Sequence, residues 1–487
     1  MKKLKYILIA FALLLFTNSC NLEIQPSDKL TNGKLLTDKD GLEVATSGNY
    51  SLLKDVLEFG GQVNLNNSYV RHLYQLSEFA GDNVMYTQYS SDPLYLVFTR
   101  NHVPTQENTA YFWFVAYKLI LGANLVIESS EEGVSTINDQ LIGENYFLRA
   151  MAQFDLLKFY SFPYTLGTSN PGIVLRLNAT EPQSKARATV GECYDQIISD
   201  LEKAISLMDQ DRGVEYASKA AAQALLSRVY LYMENNQKTI DYATEVINNS
   251  GKRLATRSEY IDNFANTQNS PESLFIIRHI SPQDYSGKEG SIGSMYYDDG
   301  NNGGWGEVFV SQTFLNLITQ HPNDVRNDLI LIPGTMKSGY PVRYILKFTG
   351  QDGLVNLSSP QYLRLSEMYL NRAEANAKLG NDQLALDDVN IIRTRAGLTG
   401  AELYTLGNLG GRSVLDIVLE ERRLEMAYEG QRSFDQFRNK RDMNRSYPGI
   451  HLASGETTQI IPYDDPANIF YIPPGELTYN PLCTQND

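Results

Sequence analysis

Tryptophan, cysteine and histidine are scarce: two, three and five of them stand in 487 residues. The histidines (His72, His102, His279, His321 and His451) lie far apart, and no HExxH or CxxC spacing gathers metal ligands. Neither a metal nor a cofactor is therefore expected. No GxSxG or other nucleophile motif is present. Gly304-Trp305-Gly306 matches a fragment of a nucleotide loop, but no strand precedes it and no lysine follows. Asp298-Asp299-Gly300-Asn301-Asn302 is reminiscent of calcium loops yet fails the EF-hand spacing at its fifth position. Positive charge is short as well, with 42 Lys and Arg against 57 Asp and Glu, a net charge of −15. Such a surface repels phosphates, which argues against nucleic acid and suits a neutral ligand.

Long apolar runs are also lacking. Tyr6 to Phe16 spans 11 residues, whereas crossing a bilayer core takes about 20. With Lys2, Lys3 and Lys5 before it and Thr17-Asn18-Ser19-Cys20 after it, this run reads as a signal peptide over residues 1–19. Cys20 follows the small Ser19, where a bacterial lipoprotein would receive its diacylglycerol. Thr17 and Asn18 depart from the usual pattern, so cleavage at another residue is the alternative. A lipid on Cys20 would anchor the chain to a membrane without spanning it. No later segment reads as apolar enough to cross, and a soluble mature body is expected. Removing residues 1–19 deletes three lysines and no acid, taking the charge from −15 to −18. Cys193 and Cys483 then remain. Export permits a disulfide between them without demanding one. Cys193 stands four residues before Ile197 in a helical stripe, which predicts a buried, unreactive thiol.

What the chain does have is helical periodicity. Phe147, Ala150, Met151, Phe154 and Leu157 line one face of Glu144 to Tyr160. A partner helix follows a Thr189…Glu192 capping box. Lys219 to Met233 and Gln237 to Asn248 form a second pair around Asn235-Asn236. A third pair is expected to start at Ser359 as N-cap with Pro360 at the first helical position. It turns at Gly380-Asn381 and ends at Gly397. A fourth begins near Ser413, reaches Tyr428, turns at Gly430 and resumes through Phe437. The pairs resemble tetratricopeptide hairpins at irregular spacing. The fold class expected is mainly α: about four such hairpins forming a curved scaffold, with long irregular loops and minor β structure.

Two stretches interrupt the hairpins, Asn64 to Asn108 and Ser250 to Ser358. The second is rich in Gly, Asn, Asp and Tyr and the first in Asn and Tyr, and loops this long in a compact protein are usually functional. Tyrosine is abundant, with 31 residues, and flat aromatic faces with a polar edge suit stacking on sugar rings. Trp305, Tyr296, Tyr297, Tyr86, Tyr89 and Tyr285 lie in these loops, and Asp298 and Asn302 stand nearby as hydrogen-bonding groups. Glu421, Glu425 and Glu429 form an i, i+4, i+8 column with Arg422, Arg423, Arg432, Arg438 and Arg441 close in sequence. We read it as an ion-pair network between packed helices. A glycosidase pair needs carboxylates about 5–9 Å apart across an open cleft, and arginines push carboxylate pKa values down. The chain does not read as an enzyme.

Several ordered motifs carry a family resemblance. Cys20-Asn-Leu-Glu-Ile-Gln-Pro26, Phe79-Ala-Gly-Asp-Asn83, Trp113-Phe-Val-Ala-Tyr117 with Ala123-Asn124, and Tyr146 to Asp155 resemble SusD/RagB proteins. So does Leu419 to Arg432 with Phe434-Asp435 and Arg438, then Ile472-Pro473, Glu476, Asn480-Pro481 and Gln485-Asn486. Tyr160 to Tyr164 lacks the glycine usual there, and Ser433 replaces a common tryptophan. The resemblance implies one domain over residues 20–487, with halves 20–215 and 270–487, held at the cell surface of the outer membrane by a lipid anchor. It implies an oligosaccharide ligand and a SusC-like, TonB-dependent transporter as partner. A peptide-binding or purely architectural lid of such a transporter is the alternative.

Overall fold

Polar caps and apolar stripes set the helix ends. A computed structural model describes residues 40–285 and 287–486. Cys20 and the signal segment lie outside the described residues. The principal helices are α1 (Gly41–Ser51), α2 (Tyr69–Phe79), α3 (Glu107–Ser129), α4 (Thr136–Tyr160), α5 (Val190–Leu207) and α6 (Lys219–Tyr232). They continue as α7 (Asn236–Asn249), α8 (Leu365–Lys378), α9 (Asp382–Ala396), α10 (Val414–Glu425) and α11 (Arg432–Arg438). Thr189 caps α5 as expected: its Oγ1 accepts from Glu192 N at 3.2 Å, and Glu192 Oε2 accepts from Thr189 N at 2.8 Å. Ser413 and Asp416 cap α10 reciprocally in the same way. Gly397 ends α9 at φ +102°, and a Cβ there would also meet Arg257 Nε at 2.5 Å.

α4 packs on α5, α6 on α7, and α8 on α9. α7 also packs on α8 although more than a hundred residues separate them. The hairpins therefore form one continuous, mainly helical scaffold, and the second irregular stretch is an insertion looped out of it. The fourth pair is lopsided: α11 packs chiefly on α2, near the start of the chain.

Short strands tie the irregular stretches down. β1 (Val84–Tyr86) pairs antiparallel with β3 (Val308–Val310), with Val84 opposite Val310 and Tyr86 opposite Val308. β2 (Ser273–Ile276) pairs with β4 (Gln361–Arg364). This second pairing corrects the expected helix start at Ser359-Pro360. Ser359 Oγ accepts from His279 N at 2.8 Å instead of capping a helix, and the chain runs extended through β4 before α8 begins at Leu365.

A second correction concerns α3. By length and composition it is apolar enough to cross a membrane, contrary to expectation. It passes that test because it runs through the core: Tyr111, Phe112, Val115, Leu119 and Ile120 are fully buried, with α2 and α4 packed on it. Cys193 is buried and free, and burial pushes its thiol up to about 12, as expected of an unreactive cysteine.

The glutamate column is a buried ion-pair network. Glu421 lies 2.7 Å from Arg326 Nη1 and 2.9 Å from Arg393 Nη1, and Glu425 lies 2.7 Å from Arg364 and 2.5 Å from Arg395. Burial would raise the Glu425 pKa, but Arg395, Arg364 and Arg326 outweigh it and hold the carboxyl well below its ordinary value. Glu429 sits beyond the helix, after Tyr428 at φ +68°, and meets Lys347 and Arg364. The arginines adjacent in sequence go elsewhere: Arg422 to Asp435, Arg438 to Glu374 and Arg441 to Asp416. No open cleft separates these carboxylates, so they do not have the arrangement of a hydrolytic pair.

Candidate functional site

The β1–β3 pairing brings the two irregular stretches together, and between them lies a cleft of about 400 Å³. One wall comes from Asn64, Asn67, Arg71, Asp92 and Glu107, and the other from Glu289, Met295, Trp305 and Glu307. Arg71 projects from α2, where Ser68 caps the helix by accepting from Arg71 N. Its Nη2 lies 2.5 Å from Asp92 Oδ2, and its Nη1 donates to Asn66 O at 3.0 Å. Asp92 Oδ1 in turn accepts from Leu94 N at 3.0 Å, two residues on, which fixes the turn around Pro93. Burial would raise the Asp92 pKa, but Arg71 and that backbone bond lower it.

Side-chain amides and a hydroxyl set the remaining acids. Glu107 Oε1 accepts from Asn64 Nδ2 at 2.9 Å and Asn67 Nδ2 at 2.8 Å. Ser90 Oγ donates to Glu307 Oε2 at 2.7 Å, which joins the two loops. Asn66 Nδ2 donates to Glu289 Oε2 at 2.9 Å, and Asn66 Oδ1 accepts from Gly290 N at 3.1 Å. Two donors on residues lining the cleft, Arg71 Nε and Asn108 Nδ2, are buried and have no protein partner. Both atoms are sealed from solvent, so they face no ligand in the cleft. The cleft can offer one aromatic ring and several carboxylate and amide acceptors.

Trp305 lines this cleft, half-buried, with its ring against the core cluster. Its backbone is pinned: Trp305 N donates to Ser294 O at 2.7 Å, and Lys337 Nζ donates to Trp305 O at 2.8 Å. Lys288 Nζ rests 3.8 Å from the ring centroid and donates to Asn302 Oδ1 at 2.6 Å. Asn302 is exposed, and Asp298 is half-buried with Oδ1 accepting from Gly300 N. Tyr297 is half-buried, edge-on to Tyr344. Tyr89 is 75% exposed and packs edge-on to Tyr95, one residue before the cleft-lining Ser90.

Tyr86 and Tyr296 are corrections to the expected site. Both are fully buried, Tyr86 among Phe79, Tyr95 and Phe98, and Tyr296 between Phe79 and Phe348. Their strand and turn positions point them into the core, so neither ring has a face to offer a ligand. Arg71, Asp92, Glu107, Glu289 and Glu307 were not singled out from sequence. Only their place in or beside the two irregular stretches marked them.

The segments of chain that carry the family resemblance meet one another away from the cleft. Asp82 accepts from Arg432 Nε at 2.7 Å and lies 3.3 Å from Arg423, while Arg423 Nε donates to Asn83 Oδ1 at 2.8 Å. Burial would raise the Asp82 pKa, but Arg423 and Arg432 outweigh it and hold the carboxyl at about 2. Two family models match separate parts of this sequence. One, described as the SusD family, covers residues 332–487. The other, described as starch-binding associating with outer membrane, covers residues 49–231. The chain belongs to the SusD family.

Full-length relatives agree. SusD-like protein P38 of Formosa agariphila is 24% identical over 491 residues, covering 91% of this chain and 93% of its own length. A SusD superfamily protein from Bacteroides thetaiotaomicron has a crystal structure that superposes with a TM-score of 0.80 at 28% identity, over 92% of this chain and 99% of that one. Another, from Bacteroides vulgatus, gives a TM-score of 0.79 at 26% identity, over 91% and 98%. In this SusD-family member the quoted motifs do structural work. Besides the Asp82 clasp, Asn480 Nδ2 donates to Lys185 O, and Asn486 Nδ2 donates to Tyr160 O and Phe470 O, which seats the C-terminus on the first hairpin. None of the quoted motif residues is among the cleft residues named above.

Proposed function

We propose that this SusD-family protein binds a glycan in the cleft between its two irregular loops. The observation that supports it most is the cleft itself: an indole beside carboxylates held in place by amide and hydroxyl groups, a set suited to hydrogen-bonding and packing on a polyhydroxylated ring. The starch-binding description attached to residues 49–231 points the same way. In this reading residues 20–487 form one domain, tethered through a lipid on Cys20 to the outer face of an outer membrane. There the protein passes oligosaccharides to a SusC-like, TonB-dependent transporter. Trp305 is the main contact, with Tyr89, Tyr297, Asp298 and Asn302 on the rim. A glycan array run beside a peptide library, on the mature chain, tests this. Binding of a glycan class is expected, and binding of peptides alone would replace this reading with a peptide carrier.

A further inference from the structure

The sign of the charge around the cleft goes beyond glycan binding and rests on that reading. Five ionisable groups line it: Arg71, Asp92, Glu107, Glu289 and Glu307. The one cation, Arg71, is already committed to Asp92 and to the Asn66 carbonyl. Glu107 and Glu307 make no ion pair among the described residues, and the side chains that hold them, Asn64, Asn67 and Ser90, are neutral. The nearby lysines are engaged with the protein. Lys288 lies on the Trp305 ring and Asn302, and Lys337 on the carbonyls of Trp305 and Gly306. This is not merely the chain's overall acidity. A second cleft of about 410 Å³, beside α10 and α11, is lined by Arg412, Arg423, Arg432 and Arg441 against Asp416 and Glu420. There the carboxylates are all met by arginines, so the unpaired acidity of Glu107 and Glu307 is local to the Trp305 cleft.

We propose that the Trp305 cleft rejects acidic sugars, both uronates and sulfate esters, and that its glycan is uncharged or carries amino groups. An anionic substituent in a cavity this small would lie within a Debye length of Glu107 and Glu307, about 8–10 Å at ordinary ionic strength, with no uncommitted cation to meet it. An ammonium group would find the carboxylate acceptors of Glu107 and Glu307.

The test uses the neutral polysaccharide that the mature protein binds best, derivatised in parallel with carboxymethyl and aminoethyl groups, which are similar in size and opposite in charge. Calorimetry at low salt should show the carboxymethyl form binding at least tenfold more weakly than the aminoethyl form. The gap should shrink at high salt. The Glu107→Gln/Glu307→Gln double variant, with its melting temperature unchanged, should narrow it too. Equal or tighter binding of the carboxymethyl form, or a gap that the double variant leaves intact, overturns the charge selection while glycan binding stands. If no polysaccharide binds in any form, the glycan reading itself falls.

Discussion

Among the loop aromatics, solvent exposure separates rings that can touch a ligand from rings that hold the loops in place. Trp305 borders the cleft, so Trp305→Ala should weaken glycan binding by about 1–3 kcal/mol, as loss of an aromatic anchor does elsewhere. Calorimetry on folded protein reads this, and unaltered affinity would move the contact to Tyr89 on the other wall. Tyr296 has the opposite character. It is fully buried between Phe79 and Phe348, and Tyr296→Ala should cost about 3–5 kcal/mol of stability, as removal of a core aromatic does. Urea unfolding checks it; an unchanged midpoint would place that ring outside the core. Sequence could not separate the two, because Tyr296, Tyr297 and Trp305 share one glycine-rich loop.

At the level of the helix, α10 shows how a column of like charges becomes stabilising. Glu421, Glu425 and Glu429 would repel one another on an isolated helix. In the fold, Arg326, Lys347, Arg364, Arg393 and Arg395 converge on them from the insertion, β4 and α9. Glu421→Gln leaves Arg326 with Asp324 and Glu425 but takes from buried Arg393 its carboxylate partner. The expected loss is about 3–5 kcal/mol, with ligand affinity kept in the fraction that stays folded. Lost binding at unchanged melting temperature would refute the structural role. The Thr189 cap is a milder case on the surface: Thr189→Ala should cost about 1 kcal/mol, readable as a small shift in the denaturation midpoint. A loss several times larger, or none, would count against the capping box.

For the whole molecule, two buried acids joined by the family motifs set opposite pH dependences. Burial raises Glu78 from an ordinary 4.5 to about 7. Between those values the unfolded chain has released its proton while the folded one holds it, so stability falls as pH rises through that window. Asp82 goes from 3.8 to about 2. Its stabilisation is present above 3.8 and lost as pH falls toward 2, and Glu374 and Glu425 shift in the same direction. Buried His72, His279 and His451 go from 6.5 to about 3, 4 and 4, so they add stability as pH rises to 6.5 and together outweigh Glu78. The melting temperature should therefore be highest near about pH 6–7 and fall on the acid side. Glu78→Gln should steepen the rise between about pH 5 and 7, and an unchanged slope would show that Glu78 does not carry the proton assigned to it. The lipid anchor proposed at Cys20 would likewise act on the whole chain. Cys20→Ala should abolish labelling by a fatty-acid analogue and release the protein from the membrane fraction, whereas equal labelling of variant and wild type would refute lipidation at Cys20.

Local rules sufficed for the capped hairpin helices, because caps and stripes act over one or two turns, but not for α2, a buried helix inside the stretch Asn64 to Asn108 that reads as loop. Thr189–Glu192, Ser413, Gly380-Asn381 and Gly397 could be read directly, and so could the inert Cys193. The proposed export signal, outside the described residues, and the proposed binding region likewise rest on local composition. The rest depended on contacts between residues far apart in the chain. Ser359-Pro360 looks like a helix start until β2 and His279 claim it, and α3 looks like a membrane span until its neighbours cover it. The cleft is the strongest case. Asn64 and Glu107 meet across forty-three residues, and Ser90 and Glu307 across more than two hundred. No periodicity encodes such distances. They arise where β1 pairs with β3, and that pairing decides which polar side chains face one another.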